Sequence, residues 1–593
     1  MHKTADRNEP YRYSKETEMK LYHWLILLFL ISTSAFFNVC GINWGVPSKE
    51  RTDLIFPEQF RNESFYLLMK QTREDIYKLS EGSPIGRIKD SSSALSPILQ
   101  SMGVQEKENL FFSGDKKTLA NFIRPYLLRS NHTDEQMTIA SLAGMHPKSF
   151  NFNPRIFPYG GVYIYGTGAF LGISHVLGIV KINRDLNFYF KHPEEMGKIF
   201  TAGRFLNIIF SVLTVLLIFL ITKKCCSINT ALLSVLFYII CPAIVFQTHI
   251  MKPYTVAIFF AVCCLYYSVM IISAPTVKNY ILAGISAGLT AGTTPVYAFI
   301  IIAPLTAHFI MSKKLTKNLF FTFLAGVVVF FITNPYWLIN YKDVLSEMKT
   351  SANFYNLRNG KDFSDFFLKQ LPLSLPSGLL FISLLGIIYA VVRKKKQDIL
   401  FAISGSVPLV IFGWLTQTQQ LSMHNSRFLL PWVSILLIPG AGFIGEFLDK
   451  KYINLPVIFF TGFAVIQSTL ISAICLKNFA IDGSEYSTRL SAGKWITANI
   501  PSNSTIGTNY MPEPSHLPPF DFSKYRIEVI RNYDVKKLPE YFICINEVPK
   551  EKLTSKNYTL TQSFKPFESL LGFSFTMGNT HVNSPVYILK RIS

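Results

Sequence analysis

Cysteine is scarce in this chain and poorly placed for its usual structural uses. The eight cysteines are Cys40, Cys225, Cys226, Cys241, Cys263, Cys264, Cys475 and Cys544, nearly all in or beside apolar runs. Residues 478–593 hold only Cys544, which excludes a disulfide framework within that segment. Cys225-Cys226 lacks both CxxC spacing and nearby histidines, so it does not read as zinc ligation. A P-loop lysine pattern and a GxGxxG following a strand are also missing, which argues against a nucleotide-driven enzyme. The first apolar run is not closed by an A-x-A cleavage site, so it reads as a retained span. Charge is sparse as well, at 16% of residues. The net charge of +21 is scattered in short clusters at the ends of apolar runs, which is the pattern of membrane orientation and excludes a nucleic-acid face.

What is present is apolar surface. Over 593 residues the chain is 49% hydrophobic and 14% aromatic, with mean hydropathy +0.27, which defines a polytopic α-helical membrane protein. Residues 1–20 read as a cytoplasmic N-terminus, 21–477 as the transmembrane domain and 43–198 as a large first outer loop with helical segments at 58–80 and 90–102. The expected spans are 21–40, 199–222, 231–246, 253–273, 281–291, 296–311, 319–337, 373–392, 399–414, 428–447 and 455–475, about 11 in all. Parity places 158–180, rich in Gly, in the outer interface: if it crossed, the clusters Lys223-Lys224, Lys313-Lys314-Lys317, Arg393 to Lys396 and Lys450-Lys451 would face the wrong way. The 281–291 run is shorter than the ~20 residues that cross ~30 Å of hydrocarbon, so it must be buried in protein. A second interfacial element is expected near 362–368. Residues 478–593 read as a small extracytoplasmic α/β or α+β domain. Its expected elements are a helix at 484–499, capped by Asp482 or Ser484, and strands at 504–508, 526–530, 541–546, 558–564 and 586–590.

Polar chemistry crowds into one stretch of the first outer loop, from Leu128 to Tyr165. It holds the acidic pair Asp134 and Glu135, His132, Asn153, Arg155, Tyr159 and Tyr163. Glu194-Glu195 shows that acidic pairs also occur here without an evident task, and Asp53 and Glu58 are rival outer carboxylates. Arg155, Arg204, Lys252 and Arg427 fall at expected outer borders of the membrane, where they could snorkel to lipid phosphates or hold a donor phosphate. His249 lies at the same border and is a further candidate lining residue.

Several motifs in order resemble the C-type membrane glycosyltransferase (GT-C) superfamily, in its protein O-mannosyltransferase and aminoarabinose transferase branch. They are INWGVP at 42–47, HTDEQ at 132–136, FNPRIFPYGGVYIY at 152–165, the run 202–224, THIMKPYTVAIFF at 248–260, TNPYW at 333–337 and NSRFLLPW at 425–432. SAGKWITANIP at 491–501 looks like the outer domain of bacterial relatives. The resemblance implies an inverting glycosyltransferase using a polyprenyl-phosphate sugar donor and a lipid, protein or glycan acceptor. It also implies a bacterial inner (plasma) membrane, with the site facing outside. The family's general base falls on Asp134, with Glu135 beside it. Arg204 and Arg427 best match the phosphate-binding pattern, followed by Arg155 and Lys252. The chain departs from the family in a long insertion between Pro47 and Asp134, and in Phe157-Pro158-Tyr159 where some relatives have Lys-Pro-Pro-Leu. The chemistry agrees, because a hydroxyl needs a carboxylate to take its proton and a leaving phosphate needs cations. The outer loop has no DxD pair, so no cofactor is expected and a divalent metal stays open. The alternative is a transporter or flippase of lipid-linked sugar or polymer. It would place ionisable residues at span centres and show inverted repeats, neither of which is visible.

Overall fold

The computed structural model describes residues 18–79, 109–112, 115–354, 363–415, 422–448, 455–533, 538–548, 553, 557–578 and 580–592. Most of the expected N-terminal segment and the whole expected helix at 90–102 lie outside the described residues, as does the start of the element expected at 362–368.

The eleven expected spans overlie helical segments, of which six, or eight if each bent pair is one span, are long and apolar enough to cross a membrane among the described residues. The six are Leu21–Val39, Pro193–Cys225, Tyr254–Ser273, Lys396–Leu415, Leu430–Phe447 and Leu455–Asp482. Two more candidates are bent pairs, Ile228–Ile239 with Pro242–Thr248 at 57° and Phe363–Ser374 with Ser377–Arg393 at 113°. The run expected as one span at 231–246 is therefore broken. Pro242 has no N–H and opens the second half at its first position, so the helix restarts in a new direction and carries the chain towards Lys252.

Pro193–Cys225 has 33 residues, about 50 Å at ~1.5 Å per residue, and so overshoots ~30 Å of hydrocarbon. Its excess is marked by Glu194 and Glu195 in the first turn and Lys223 and Lys224 in the last, a pairing that suits the helix dipole. The short run expected at 281–291 sits inside a longer helix, Val277–Thr293. That helix packs on Lys317–Thr333 through Gly284 and Gly288. A Cβ there would come within 2.2 Å of the Thr322 carbonyl oxygen and 2.5 Å of the Gly326 carbonyl oxygen, so only glycine allows the approach. The glycine-rich 158–180 segment forms a helix, Gly161–Val176, whose far end leaves Ile173, Val176 and Leu177 exposed.

Outside the apolar helices lies a six-stranded mixed sheet. Its strands are β1 (Leu110–Phe112), β2 (Thr505–Thr508), β3 (Arg526–Val529), β4 (Tyr541–Ile545), β5 (Tyr558–Phe564) and β8 (Val586–Arg591), in the order β1-β3-β2-β4-β8-β5. β2 runs parallel to β3 and β4, and the other pairings are antiparallel. A small hairpin of β6 (Ser569–Leu570) and β7 (Phe573–Ser574) stands apart. The helix expected at 484–499 starts later, at Thr488. The preceding membrane helix runs on through Asp482, and Ser487 supplies the cap by accepting from the Leu490 N–H at 3.2 Å. The 478–593 segment does not stand alone. β1 comes from the first outer loop, and Ile55, Phe56, Tyr126, Phe520, Phe522 and Ile527 belong to one shared apolar core.

Candidate active site

The HTDEQ stretch opens a short helix, Glu135–Ala143, and sends its two carboxylates in different directions. Successive residues on a helix are about 100° apart, so neighbours cannot share a target. Glu135 turns inward and is fully buried. It takes a two-pronged ion pair from Arg204, Nε to Oε1 at 2.8 Å and Nη2 to Oε2 at 2.7 Å. It also accepts from the Ser130 hydroxyl at 2.6 Å and the Met251 N–H at 2.7 Å. Arg204, equally buried, donates to the carbonyls of Ile42 and Trp44, both at 2.7 Å, and lies over the Trp44 ring. Arg204 gives four hydrogen bonds to protein groups, and neither it nor Glu135 lines the cleft, which speaks against a phosphate contact for Arg204 and an acceptor contact for Glu135. Together they tie the exit of the first helix, the acidic loop and the segment entering Lys252 into one unit.

Asp134 turns the other way. Its side chain is 33% exposed and lines a cleft of about 2650 Å³ that also includes Arg155, Tyr159 and Tyr254. It does not cap its own helix. Its Oδ2 is bonded by the Lys252 ammonium, with His424 Nε2 at 3.8 Å and Arg427 Nη1 at 3.9 Å. Lys252 and Arg427 are almost fully buried beneath it. Arg427 also bonds His424, and the Tyr297 hydroxyl donates to its carbonyl.

Three histidines close one side of the site. His132 Nε2 stands 3.3 Å from His424 Nδ1, and His132 Nδ1 accepts from the Asp134 N–H at 3.2 Å. The His581 ring packs 5.1 Å from that of His132. Burial alone would raise the Asp134 carboxyl, but Lys252, then His132 and Arg427, outweigh it and hold it well below the usual carboxylate range. Burial draws the Lys252 ammonium down to about 8 against the pull of Asp134. His132 and His424 are pushed well below the ordinary histidine value by burial and by the neighbouring cations, and His581 falls to about 3, mainly through burial. These imidazoles are therefore neutral near pH 7.

The remaining candidates separate. Arg155 lines the cleft with a left-handed backbone (φ 54°), and its N–H donates to Asn153 Oδ1 at 2.9 Å. Asn153 thus shapes that turn and reaches Asn340 at 3.4 Å, and it does not line the cleft wall. Tyr159 does line the wall, while Tyr163 is buried behind it, ring against ring. His249 is also fully buried. Its Nδ1 faces the Val245 carbonyl at 2.7 Å, its Nε2 the Cys40 carbonyl at 2.9 Å, and it stacks on Phe479 at 4.3 Å. It is a packing residue between helices and not a lining one. Sequence reasoning missed His424 and His581. His424 directly precedes the recognised NSRFLLPW motif, whereas nothing local marks His581. Among the described residues, no three His, Cys, Asp or Glu side chains gather in a way that could hold a metal ion.

A carboxylate set against two buried cations stands at the wall of a cleft among apolar helices. Residues 196–338 match the model of the dolichyl-phosphate-mannose-protein mannosyltransferase family. The match, over about a quarter of the chain, agrees with the resemblance to C-type membrane glycosyltransferases. No curated protein matches the chain. Among solved structures, ArnT from Cupriavidus metallidurans in the apo state is 12% identical, over 73% of this chain and 88% of that one, with a TM-score of 0.39. The same protein bound to undecaprenyl phosphate gives 0.38 over the same shares. The Archaeoglobus fulgidus oligosaccharyltransferase, in a complex with Zn and sulfate, is 13% identical over 59% of this chain with a TM-score of 0.36. This chain spans about half of that protein's length, at 52%.

Proposed function

We propose that this protein is an inverting glycosyltransferase. It moves a sugar from a polyprenyl-phosphate donor to an acceptor hydroxyl at the outer face of a bacterial inner membrane. The supporting observation is the partly exposed Asp134 carboxylate with Lys252 and Arg427 converging on one of its oxygens. Without donor, the two cations are held by Asp134. A donor phosphate competes for them, and the carboxylate is released to receive a hydroxyl proton.

In the transfer, the acceptor oxygen bonds to the anomeric carbon as the bond from that carbon to the phosphate oxygen breaks on the opposite face. The hydroxyl proton passes to Asp134, and polyprenyl phosphate leaves as a monoester. Its added negative charge is met by Lys252 and Arg427, with Arg155 as a further cation on the cleft wall. Tyr159 and Tyr254 line the donor's path. In the empty site Lys252, His132 and Arg427 hold Asp134 ionised but make it a weak base, so the drawing of Lys252 and Arg427 to the donor phosphate raises its affinity for the hydroxyl proton.

The test is purified protein in liposomes with a panel of radiolabelled polyprenyl-phosphate sugars, wild type beside Asp134→Asn. Sugar transfer or release of polyprenyl phosphate by wild type alone is the expected result. Equal donor consumption by both proteins would remove Asp134 from the role of base.

A further inference from the structure

Away from Asp134, the same cleft carries a second polar region that the transfer step leaves unused. Besides Asp134 and Arg155, the cleft wall carries Lys70, Arg73, Arg124, Arg129 and Arg184 against Glu74 and Glu513. Two of these cations have tasks within the fold. Arg124 donates to the Met69 carbonyl at 2.9 Å and the Thr72 hydroxyl at 2.8 Å, and Lys70 lies 3.7 Å from Asp185. Arg129, 35% exposed, pairs with Glu513 at 3.0 Å. Arg73 has no ion pair among the described residues; burial and then the Arg129 charge act against its own charge, with Glu74 acting the other way, and both arginines bear on Arg124. Like charges crowded on a low-dielectric wall disfavour one another, and an arriving anion relieves them. Beside them Tyr510, 57% exposed, presents its ring to the cleft while stacked at 4.7 Å on His516. A rigid, half-covered tyrosine beside charged donors suits a sugar ring, with one apolar face and a polar rim.

We infer that this outward end of the cleft is an acceptor subsite for a sugar bearing a carboxylate or phosphate. Arg73 and Arg129 bind the anion, and Tyr510 packs on the ring. The inference rests on the transferase reading and adds the chemical class of the acceptor. Glu513 plays a defined part: it holds Arg129 while the subsite is empty and yields it to the incoming anion.

The probes are octyl β-glucuronide and octyl β-glucoside, below their micellar concentrations, with the full-length protein in nanodiscs. They differ by one carboxylate. Binding is read by isothermal titration without donor, and KM is read by transfer with donor. Wild type is expected to prefer the glucuronide about tenfold, the value of one charge-assisted hydrogen bond. Arg73→Gln brings the ratio near parity. Glu513→Gln moves it the other way, because Arg129 is freed, and this is a gain that damage to the fold cannot produce. Competition by free glucuronate would assign a soluble acceptor, whereas competition by the amphiphile alone would assign a membrane-borne one, and either supports the subsite. Equal affinity for both probes in wild type, or loss of the preference in Glu513→Gln, overturns it. If no donor is consumed while the binding preference holds, the transferase reading fails and the anion subsite stands.

Discussion

Replacing Glu135 by Gln separates the two carboxylates of the acidic pair. In the native protein Glu135 accepts four hydrogen bonds, two from Arg204 and one each from Ser130 and Met251, with neither partner of the ion pair reaching solvent. Glutamine keeps one acceptor oxygen and turns an amide donor towards a guanidinium or hydroxyl that is itself donating. It also leaves the Arg204 charge without its counter-ion. Removing one partner of a buried pair destabilises by about 3–5 kcal/mol. That loss falls where the first helix, the acidic loop and the chain before Lys252 are held together. Thermal unfolding in detergent, followed by intrinsic tryptophan fluorescence, should show an apparent transition several degrees lower for Glu135→Gln. A second change, Arg204→Met, should recover part of the loss in the double variant, since the uncompensated cation is then gone. If Glu135→Gln unfolded at the wild-type temperature and yet lost all turnover, Glu135 would be the base and the structural reasoning would fail.

Four further outcomes follow from the same geometry. Asp134→Asn should lower turnover by about 10²–10⁴-fold, the usual contribution of a positioned proton acceptor, with a smaller shift in unfolding temperature than Glu135→Gln, in single-turnover assays. Arg427→Gln should raise the donor KM by about tenfold or more, as expected for one lost hydrogen bond to a charged group, measured against graded donor in liposomes. Lys252 has its ordinary value of 10.5 lowered to about 8, so its charge is present below about pH 8 and is lost as pH rises through it. Donor KM should therefore climb on the alkaline side of pH 8. In Asp134→Asn the climb should begin at lower pH, because the group that raises the Lys252 value is gone, and donor-binding titrations across pH check both. The unfolded chain holds the extra proton between about 8 and 10.5, so the Lys252 contribution to stability rises with pH across that window. Finally, Gly288→Val drives a side chain into the Gly326 backbone and should depress the unfolding temperature, while Gly172→Ala, with open space around it, should not.

The helices and strands of this protein were largely legible because each is written locally. Apolar runs bounded by Lys and Arg mark the membrane segments, and strands such as Tyr541–Ile545 and Tyr558–Phe564 follow the β-branched and aromatic pattern. The break at Pro242 was missed because the apolar run continues through it and hydropathy does not register a missing N–H. β1, three residues long, carries too little pattern to be seen before its partner Arg526–Val529 is known. At the site, Asp134 stood out by its surroundings. Its separation from Glu135 needed the helix start, and the diversion of Arg204 needed the position of Trp44. His581 lies hundreds of residues from His132, and only the fold brings their rings together.

The pairing of β1 with β3 has a consequence for how the protein is made. Leu110–Phe112 leaves the synthesis machinery about four hundred residues before the strand that covers it, Arg526–Val529. Every membrane helix from Pro193 to Asp482 must be inserted in the interval. For that time the first outer loop waits with an open strand edge and half an apolar core. The part of the cleft wall that includes Tyr510 and Glu513 is therefore completed only when residues beyond 505 arrive, and a protein truncated before residue 505 would carry Asp134 in a cleft without that wall.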